Sequence, residues 1–308
     1  MKRAVRKKGP GGVDAVGVLD SRWLPDSEFL ATWDDIIVED EVKERLLGHA
    51  LLNFTLRPQV SRSGLPLHGL IVLVGPPGTG KTSLGRGLAA KTAEVFDGDN
   101  MLFIEIEPHA LTSAALGKSQ KAVRDLLGTT IREQAEHHPL IVLLDEVETL
   151  AADRSKLSLE ANPIDVHRAT DAVLAQLDHL SATHTNTLFI ATSNFARAID
   201  PALLSRADLV QTISLPSAAA CRMILASAVE ALLKAYPRAE LLRGADSLEK
   251  AAREAVGLDG RMIRKAVVAA CAMNRTVAAD PSRVTSEHLI KAIRAAKDEQ
   301  QAIARTDR

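Results

Sequence analysis

The segment Gly75–Thr82 has the residue types needed to bind phosphate. Its sequence, GPPGTGKT, follows the apolar run Leu70–Val74 and precedes a helical pattern, which is the context this motif requires. Glycines let backbone N–H groups turn toward phosphate oxygens, and the amino end of the next helix favours the same charge. We predict that Lys81 contacts the β- and γ-phosphates and that Thr82 ligates Mg²⁺. The predicted nucleotide-binding residues of this loop, called the phosphate loop below, are Gly75, Pro76, Pro77, Gly78, Thr79, Gly80, Lys81, Thr82 and Ser83.

Two carboxylates, Asp145 and Glu146, follow the apolar run Leu140–Leu144. A carboxylate at the carboxyl end of a strand beside the phosphate-loop strand can hold the Mg²⁺ shell, which suits Asp145. The next residue points to the other side and can polarise a water molecule for in-line attack, which suits Glu146. Two solvated acids at a strand end are the alternative, but the phosphate loop earlier in the chain favours catalysis. Glu148 is interpreted as part of the acidic turn only.

Three further polar residues lie where they could approach a bound phosphate. Asn194 follows the run Leu188–Ala191, Arg206 lies in DPALLSRAD, and Arg261 opens a predicted helix in GLDGR. An isolated Asn is more often a turn residue, and an isolated Arg is more often a solvated surface charge. The residue types alone therefore leave both interpretations open at all three positions.

The elements that would position these residues follow an alternating pattern of strands and helices. Short all-apolar runs are typical of strands buried on both faces of a parallel sheet. They occur at Leu70–Val74, Leu102–Ile106, Leu140–Leu144, Leu188–Ala191 and, more weakly, Leu209–Leu215. Helical segments separate them, which predicts an α/β fold with a five-stranded parallel sheet between helical layers.

After Pro216 the strand pattern stops, and the sequence predicts a small all-helical domain. Four helices are expected, at 217 to about 235, 247 to about 256, 261 to about 274 and 286 to about 297. The expected N-caps are Ser217, Ser247 and Thr285, and Gly257 is an expected helix stop. We predict a flexible basic arm over residues 1–31, a nucleotide-binding domain over 32–216 and a helical lid domain over 217–308. A solvated tail without a specific role is the alternative for the first dozen residues.

Composition excludes several classes of protein. The chain has 308 residues, 46% hydrophobic and 25% charged, a composition typical of a globular chain of about two domains. Its net charge is -1, and its aromatic residues (2 Trp, 1 Tyr, 6 Phe) are too few for a base-stacking platform. The sequence has no apolar run of the roughly 20 residues needed to cross a membrane, so a membrane span is not expected. No apolar segment follows the basic residues at the N-terminus, so a secretory signal is not expected either. The two cysteines, Cys221 and Cys271, have no metal-binding or disulfide spacing, and we expect a cytoplasmic protein.

From Trp33 to about Ala296 the sequence resembles the AAA+ ATPases, a group of P-loop NTPases. In that resemblance GPPGTGKT is the Walker A motif, LIVLLDE is Walker B, Asn194 is sensor 1 and Arg261 is sensor 2. Within the superfamily the chain resembles the pachytene-checkpoint ATPases, which remodel HORMA-domain proteins. The similar blocks, in the family's order, are WDDIIVEDEVKERLL, GPPGTGKTSL, LLDEVETLAADR, AVLAQLD, ATSNF, SRADL and GLDGRMIRK.

This resemblance implies a homohexameric ring that binds ATP with Mg²⁺ between subunits. Arg206 would reach the neighbouring subunit's site, where such an arginine accelerates hydrolysis about 10³–10⁵-fold. Backbone at Ile37 and Val38 would hold the adenine. Protein-unfolding and microtubule-severing relatives carry RxGR in the segment of Arg206 and usually lack the sensor-2 arginine. This chain has SRAD and keeps Arg261, which favours the HORMA-remodelling group.

The sequence departs from the family pattern at two places. Eukaryotic members have a large N-terminal domain that recruits the substrate, whereas only about thirty residues precede Trp33 here. Short members of this kind resemble bacterial ATPases that act beside HORMA proteins in cyclic-nucleotide antiphage signalling. The pore loop, which usually has an aromatic residue to grip the substrate, has Leu116 and Gly117 instead. An aliphatic side chain buries less area than a ring, and anchoring of the next helix is the alternative role of Leu116.

Two functions are therefore carried forward. The first is an ATP-driven remodeller that opens or disassembles HORMA-domain complexes, which would include a signalling enzyme or closure peptide. The second is a nucleic-acid-associated AAA+ ATPase of clamp-loader or initiator type, suggested by the basic first residues and by Arg261. The near-neutral charge and the few aromatic residues argue against it, and nucleic acid and membrane are not expected as partners. A steep dependence of DNA affinity on salt would favour the second function.

Overall fold

The computed structural model describes residues 12–96, 101–107, 111, 118–149, 151, 163–239, 242 and 244–306. The chain divides into two compact units. The first, the sheet unit, consists of Met1–Ile36, Asp40–Gly75 and Lys81–Thr212. The second, the helical unit, consists of Ile37–Glu39, Pro76–Gly80 and Ile213–Arg308. The chain thus crosses from one unit to the other inside the phosphate loop.

The sheet unit is built on a six-stranded sheet within the described residues. Its strands are β1 (Val18–Leu24), β2 (Leu70–Val74), β3 (Met101–Ile106), β4 (Leu140–Leu144), β5 (Thr187–Ser193) and β6 (Leu209–Thr212). They are arranged in the order β1-β3-β4-β5-β2-β6. The five predicted strands are all present and mutually parallel. The prediction of five strands is nevertheless wrong in number, because β1 adds a sixth strand, antiparallel to β3.

Strand β1 lies inside the segment predicted to be a flexible arm, so that prediction is wrong from Val18 onward. The strand covers the edge of β3 with paired residues such as Trp23 and Leu102. As an edge strand it is only partly buried, and it therefore lacks the all-apolar run that marks a central strand. The part of the arm before Gly12 lies outside the described residues.

The strand order corrects one expectation about the site. Strand β5 lies between β2 and β4, so the strand that ends at Asp145 is not beside the phosphate-loop strand. The expectation for Asn194 is confirmed, because β5 pairs directly with β2. All three strands are parallel, so their carboxyl ends lie at one edge of the sheet.

Helices cover the sheet and position the phosphate loop. In the sheet unit they are α1 (Ser27–Asp35), α2 (Asp40–Thr55), α3 (Lys81–Val95), α4 (Lys118–Asp125), α5 (Arg132–His137), α6 (Pro163–Thr183) and α7 (Pro201–Leu204), with a π-helical segment, Leu126–Ile131, between α4 and α5. Helix α1 packs against α3, where a Cβ on Gly87 would lie 2.8 Å from the Cβ of Trp33. Glycine at this position allows the close approach that holds the phosphate-loop helix.

The helical unit contains the four predicted helices and one short addition among the described residues. They are α8 (Ala218–Ala235), α9 (Ala245–Ala255), α10 (Gly260–Cys271), α11 (Arg275–Ala279) and α12 (Ser286–Thr306). Ser217 caps α8, and Gly257, at φ +99°, follows the end of α9. Ser247 is not a cap, because α9 already begins at Ala245. Throughout the described part of the chain, each helix is too short or too polar to cross a bilayer.

Candidate nucleotide site

The phosphate loop follows a fully buried strand and leads directly into α3. At its start, the Gly75 N–H donates to the carbonyl oxygen of Ser193 at 3.2 Å, which ties the loop to β5. Gly78 and Gly80 have φ of +80° and +87°, a region that L-residues with side chains rarely adopt. A loop with this conformation can turn its backbone N–H groups toward a phosphate.

Space as well as backbone conformation requires glycine at position 78. A Cβ there would lie 2.3 Å from the carboxylate carbon of Asp259. Asp259 is itself held in place, since its carboxylate accepts the Met262 N–H at 2.8 Å and so caps α10. The Asp259 side chain therefore leaves no room for a Cβ at Gly78, a requirement that the motif alone does not reveal.

Lys81 is the buried cation of the site, with 5% of its surface exposed. Its ammonium group donates to the Gly75 carbonyl oxygen at 2.8 Å and to Oδ1 of Asn194 at 2.9 Å. Burial lowers the pKa of Lys81, and the negative charges of Glu148, Asp145 and Glu146 oppose that shift. A buried cation surrounded by carboxylates provides a positive charge that an incoming phosphate can share.

Asp145 is held at the end of β4 by two hydroxyl groups. The Thr82 hydroxyl donates to Oδ1 of Asp145 at 2.7 Å, and the Thr192 hydroxyl donates to the same oxygen. The structure therefore brings together Thr82 and Asp145, the two residues predicted to ligate a metal. Ser83 lies half-buried in the first turn of α3.

Glu146 has an unusual backbone conformation, with φ of +52°. A non-glycine residue in this region costs about 1–3 kcal/mol and is typical of functional sites. The Glu146 N–H donates to the Thr192 hydroxyl oxygen at 3.1 Å, and Oε1 of Glu146 accepts from the Asn194 amide at 3.3 Å. The adjacent carboxylates thus have different partners, with Asp145 bound to hydroxyl groups and Glu146 to an amide.

Asn194 connects the cation to this carboxylate, because its Oδ1 accepts from Lys81 while its Nδ2 donates to Glu146. The Asn194 backbone N–H donates to Oε1 of Glu148 at 3.1 Å. Glu148 is therefore more than part of an acidic turn, since it holds the end of β5 in place. Asn194 thus joins Lys81, which is predicted to contact the phosphates, to Glu146, which is predicted to polarise the water molecule.

Arg206 forms a paired contact with the carboxylate of Asp178 on α6. Its Nε and Nη2 donate to Oδ1 and Oδ2 of Asp178 at 2.9 and 2.7 Å. Its Nη1 donates to the Ala202 carbonyl oxygen at 2.6 Å. Arg206 is thus an ordered side chain of the sheet unit rather than a freely solvated charge.

The described contacts do not test the roles predicted for the remaining site residues. Arg261 lies exposed in the first turn of α10, the third helix of the helical unit, as expected. Ile37 and Val38 lie in the extended link between α1 and α2, and Ile37 packs against the apolar core of the helical unit. Leu116 and Gly117 lie outside the described residues. The roles of these five residues stay predictions.

Sequence reasoning missed several residues that support the site, namely Thr192, Glu148, Asp178, Arg86 and Glu105. Arg86, on α3, donates to the fully buried Glu105 on β3 through Nε at 2.8 Å and Nη2 at 2.6 Å. Glu105 is a charged residue within the otherwise apolar sequence of β3, and this is the signal that could have identified it. The other residues form long-range contacts that no local pattern predicts.

The arrangement defines a class of protein. A glycine loop after β2, paired carboxylates after β4 and an asparagine after β5 converge at one edge of a parallel sheet, which is the site of a P-loop nucleotide hydrolase. Residues 71–215 match the family model of the AAA ATPases, the ATPase family associated with various cellular activities.

Similar proteins define the group more narrowly. CD-NTase-associated protein 6 of Pseudomonas aeruginosa is 54% identical, over 91% of this chain and 92% of that protein. The pachytene checkpoint protein 2 homolog of Rattus norvegicus is 34% identical, over 91% of this chain and 69% of the relative. C. elegans PCH-2 superposes with a TM-score of 0.72 and 28% identity, over 94% of this chain and 78% of that one. A chain of the E. coli MS115-1 HORMA:CdnC:Trip13 complex shares the fold, with a TM-score of 0.71 and 18% identity, over 90% of this chain and 95% of that one. This chain belongs to the AAA ATPases, in the group of CD-NTase-associated protein 6 and pachytene checkpoint protein 2, and it binds nucleotide and hydrolyses ATP.

Proposed function

We propose that this chain works as a homohexameric remodeller that uses ATP hydrolysis to open or disassemble HORMA-domain complexes in bacterial antiphage signalling. The observation that carries the proposal is the connected site Lys81–Asn194–Glu146, in a chain 54% identical to CD-NTase-associated protein 6. We place this activity in the cytoplasm, a reducing compartment that suits the free thiols of Cys221 and Cys271.

The residues around Asp145 fit a Mg²⁺ ion. Magnesium prefers hard oxygen ligands and is commonly held by one or two carboxylates, substrate phosphates and water. Thr82 Oγ1 and Asp145 Oδ1 lie 2.7 Å apart and are oxygens of this kind. These two residues would hold the ion, and bound Mg²⁺ would neutralise charge on the phosphates. The Thr192 hydroxyl would orient the Asp145 carboxylate for that task.

Glu146 is suited to act as the base for hydrolysis. Its carboxylate accepts a hydrogen bond from the Asn194 amide, and a carboxylate oxygen of this kind can accept a proton from water. Asn194 also contacts Lys81, and it therefore aligns the attacked phosphate with the water beside Glu146. We therefore propose that Asp145 serves the metal and that Glu146 serves the water molecule.

The proposed ring places Arg206 of one subunit at the nucleotide of its neighbour, where it would stabilise the charge on the transferred phosphate. In the same ring Leu116 and Gly117 would face the axis and contact the substrate chain, Arg261 would close over the phosphates, and Ile37 and Val38 would hold the adenine. HORMA proteins are proposed as substrates because a similar fold occurs in the E. coli MS115-1 HORMA:CdnC:Trip13 complex.

A release assay tests the proposed function. The full chain is mixed with a bacterial HORMA-domain protein closed around a fluorescent peptide, and peptide release is followed by anisotropy. We expect release that requires ATP, is lost in Lys81→Ala, and fails with a non-hydrolysable ATP analogue. The Glu146→Gln variant should instead hold ATP and remain bound to the closed HORMA protein.

Two results would contradict the proposal. The first is active ATP hydrolysis with no peptide release from any HORMA protein that the wild-type chain binds. The second is DNA binding with a steep decrease in affinity as salt rises, since that slope counts phosphate contacts. The second result would favour the nucleic-acid ATPase instead.

A further inference from the structure

The segment that contains Arg206 is anchored on both sides. Before it, α7 is capped by Asp200, whose carboxylate accepts the Ala202 N–H at 2.8 Å. After it, the carboxylate of Asp208 accepts three backbone N–H groups, those of His68, Gly69 and Leu70, at 2.8, 2.6 and 3.2 Å. Arg206 therefore extends from a fixed backbone, and only its side-chain torsions remain to be set.

The contact with Asp178 sets those torsions. A guanidinium group has five N–H donors in one plane, and a carboxylate that accepts from Nε and Nη2 fixes that plane. Asp178 accepts both of these bonds. It lies on α6 between Leu177 and Leu180, which are 5% and 0% exposed, so the carboxylate is attached to a helix that packs into the core. The Asp178 carboxylate is not an isolated buried charge, because it is paired with Arg206 and 39% of its side chain is exposed.

Part of the guanidinium group stays available for a ligand. The bonds to Asp178 use Nε–H and one Nη2–H, and the bond to Ala202 uses one Nη1–H. Among the described residues, this leaves one N–H on each terminal nitrogen of Arg206. Two N–H groups on the terminal nitrogens of a guanidinium group can form a fork that binds two phosphate oxygens.

We propose that Asp178 is a positioning residue that orients Arg206 toward the nucleotide of the neighbouring subunit. This inference rests on the proposed role of Arg206 in the ring. Asp178 does not itself reach the reacting phosphate, and it acts by holding the guanidinium plane so that the two free N–H groups face outward. Consistent with this contact, the hydrogen bonds from Arg206 lower the pKa of Asp178, which therefore stays ionised at neutral pH.

The opposite role makes an opposite prediction. If Asp178 sequestered Arg206 and had to release it before catalysis, removing the carboxylate charge would increase turnover. If Asp178 orients Arg206, the same change decreases kcat, because the guanidinium group then samples many rotamers. In either case the subunit's own phosphate loop binds ATP as before, so KM is unchanged. The direction of the change in kcat therefore distinguishes the two roles.

The test compares Asp178→Asn with Arg62→Ala in the full-length chain. The amide keeps the size of the side chain but cannot accept both bonds, and we expect kcat to fall about tenfold or more with KM for ATP within about twofold. Arg62 contacts the same carboxylate more weakly, at 3.4 Å, so Arg62→Ala controls for a general change of charge and should retain wild-type kcat. Melting temperatures of both variants verify that the fold is intact.

A double change separates positioning from a merely structural effect. Measured on the residual single-turnover rate of Arg206→Ala, Asp178→Asn should cause no further loss, because the group that it orients is gone. A wild-type or increased kcat in Asp178→Asn, beside an inactive Arg206→Ala, would overturn the inference while leaving the role of Arg206 intact. Full turnover in Arg206→Ala would instead refute the proposed role of Arg206. An additive loss in the double variant would also overturn positioning.

Discussion

Asn194 connects two charged groups of the nucleotide site through one side chain. Its carbonyl oxygen accepts from Lys81, and its amide nitrogen donates to Glu146, so a change at either end reaches the other through a single planar group. The strained backbone of Glu146 adds to this arrangement, because the bond from its N–H to Thr192 holds the carboxylate beside Asn194. Positioning of a carboxylate by such neighbours favours its action as a general base in the proposed hydrolysis.

The Glu146→Gln variant is expected to bind ATP and to lose turnover by about 10²–10⁴-fold, because an amide cannot accept the proton of water. The bond from residue 146 N–H to Thr192 does not involve the side chain, so the backbone conformation should survive the change. Titration with a fluorescent ATP analogue and single-turnover hydrolysis measure the two effects separately. Lys81→Ala is the matched contrast and should lose nucleotide affinity.

Near-wild-type hydrolysis by Glu146→Gln would contradict the assignment of the base. Loss of ATP binding in that variant would instead place Glu146 among the binding residues. The structure favours the first division of roles, since Thr82 and Asp145 share a hydrogen bond in which Glu146 takes no part.

Residues within the recognised motifs were predictable, whereas their supports were not. Lys81, Thr82, Asp145 and Glu146 belong to short segments whose residue types suffice to suggest phosphate chemistry. The partners that orient them come from distant parts of the chain: Asp178, for example, lies 28 residues before Arg206. Such pairs depend on the packing of α6 against the sheet, which no local pattern contains.

Among the secondary-structure elements, α3 and β3 are joined by an ion pair whose carboxylate is buried. Glu105 lies at 0% exposure in β3, with the guanidinium group of Arg86 as its charged partner on α3. The hydrogen bonds and charge of Glu105 raise the pKa of Arg86 despite its burial. The ion pair fixes α3 relative to β3, which is separated from β5 by β4. Arg86 lies one turn beyond Thr82 on α3, so the pair also holds the part of the helix that carries Thr82.

Removal of the cation alone should destabilise the sheet unit. We expect Arg86→Met to lower the free energy of unfolding by about 3–5 kcal/mol, because a buried carboxylate then lacks its partner. Urea titration followed by tryptophan fluorescence measures this, since Trp23 and Trp33 both lie in the sheet unit. The double variant Arg86→Met/Glu105→Leu replaces both charges with apolar groups and should recover most of the loss. A loss below about 1 kcal/mol in Arg86→Met would indicate that the ion pair contributes little to the stability of the sheet unit.

Sequence patterns predicted the central elements better than their neighbours. The five apolar runs were found because a strand buried on both faces has a continuous apolar text. Strand β1 was missed because it pairs through its backbone at the sheet edge and contains Asp20, Ser21 and Arg22. The position of β5 between β2 and β4 was also missed, because strand order is decided by packing of the crossover helices.

For the whole molecule, the proposed ring divides each active site between two subunits. Glu146 and Lys81 belong to the subunit that holds the nucleotide, whereas Arg206 would come from its neighbour. In the single chain Arg206 bonds to Asp178 and Ala202, contacts that leave it outside the Lys81–Asn194–Glu146 connection described above. An active site that is complete only in the assembly makes hydrolysis depend on the oligomer.

Mixing two inactive variants tests this division. Arg206→Ala and Glu146→Gln should each lack turnover as pure proteins, but a mixed ring contains interfaces at which one subunit supplies Glu146 and the other Arg206. With random mixing at equal amounts, about a quarter of the interfaces are intact, and we expect activity to recover toward that fraction of the wild-type rate. Steady-state phosphate release measures the recovery, and energy transfer between labelled subunits verifies that they have exchanged.

The matched control replaces Glu146→Gln with the double variant Arg206→Ala/Glu146→Gln. A ring of this double variant and Arg206→Ala has no intact arginine at any interface, so no activity should return. If the first mixture stays inactive despite verified exchange, Arg206 does not act across the interface. Recovery in the first mixture alone places Arg206 in its neighbour's site, and it then follows that Asp178 acts across the interface as well, through the guanidinium group it holds.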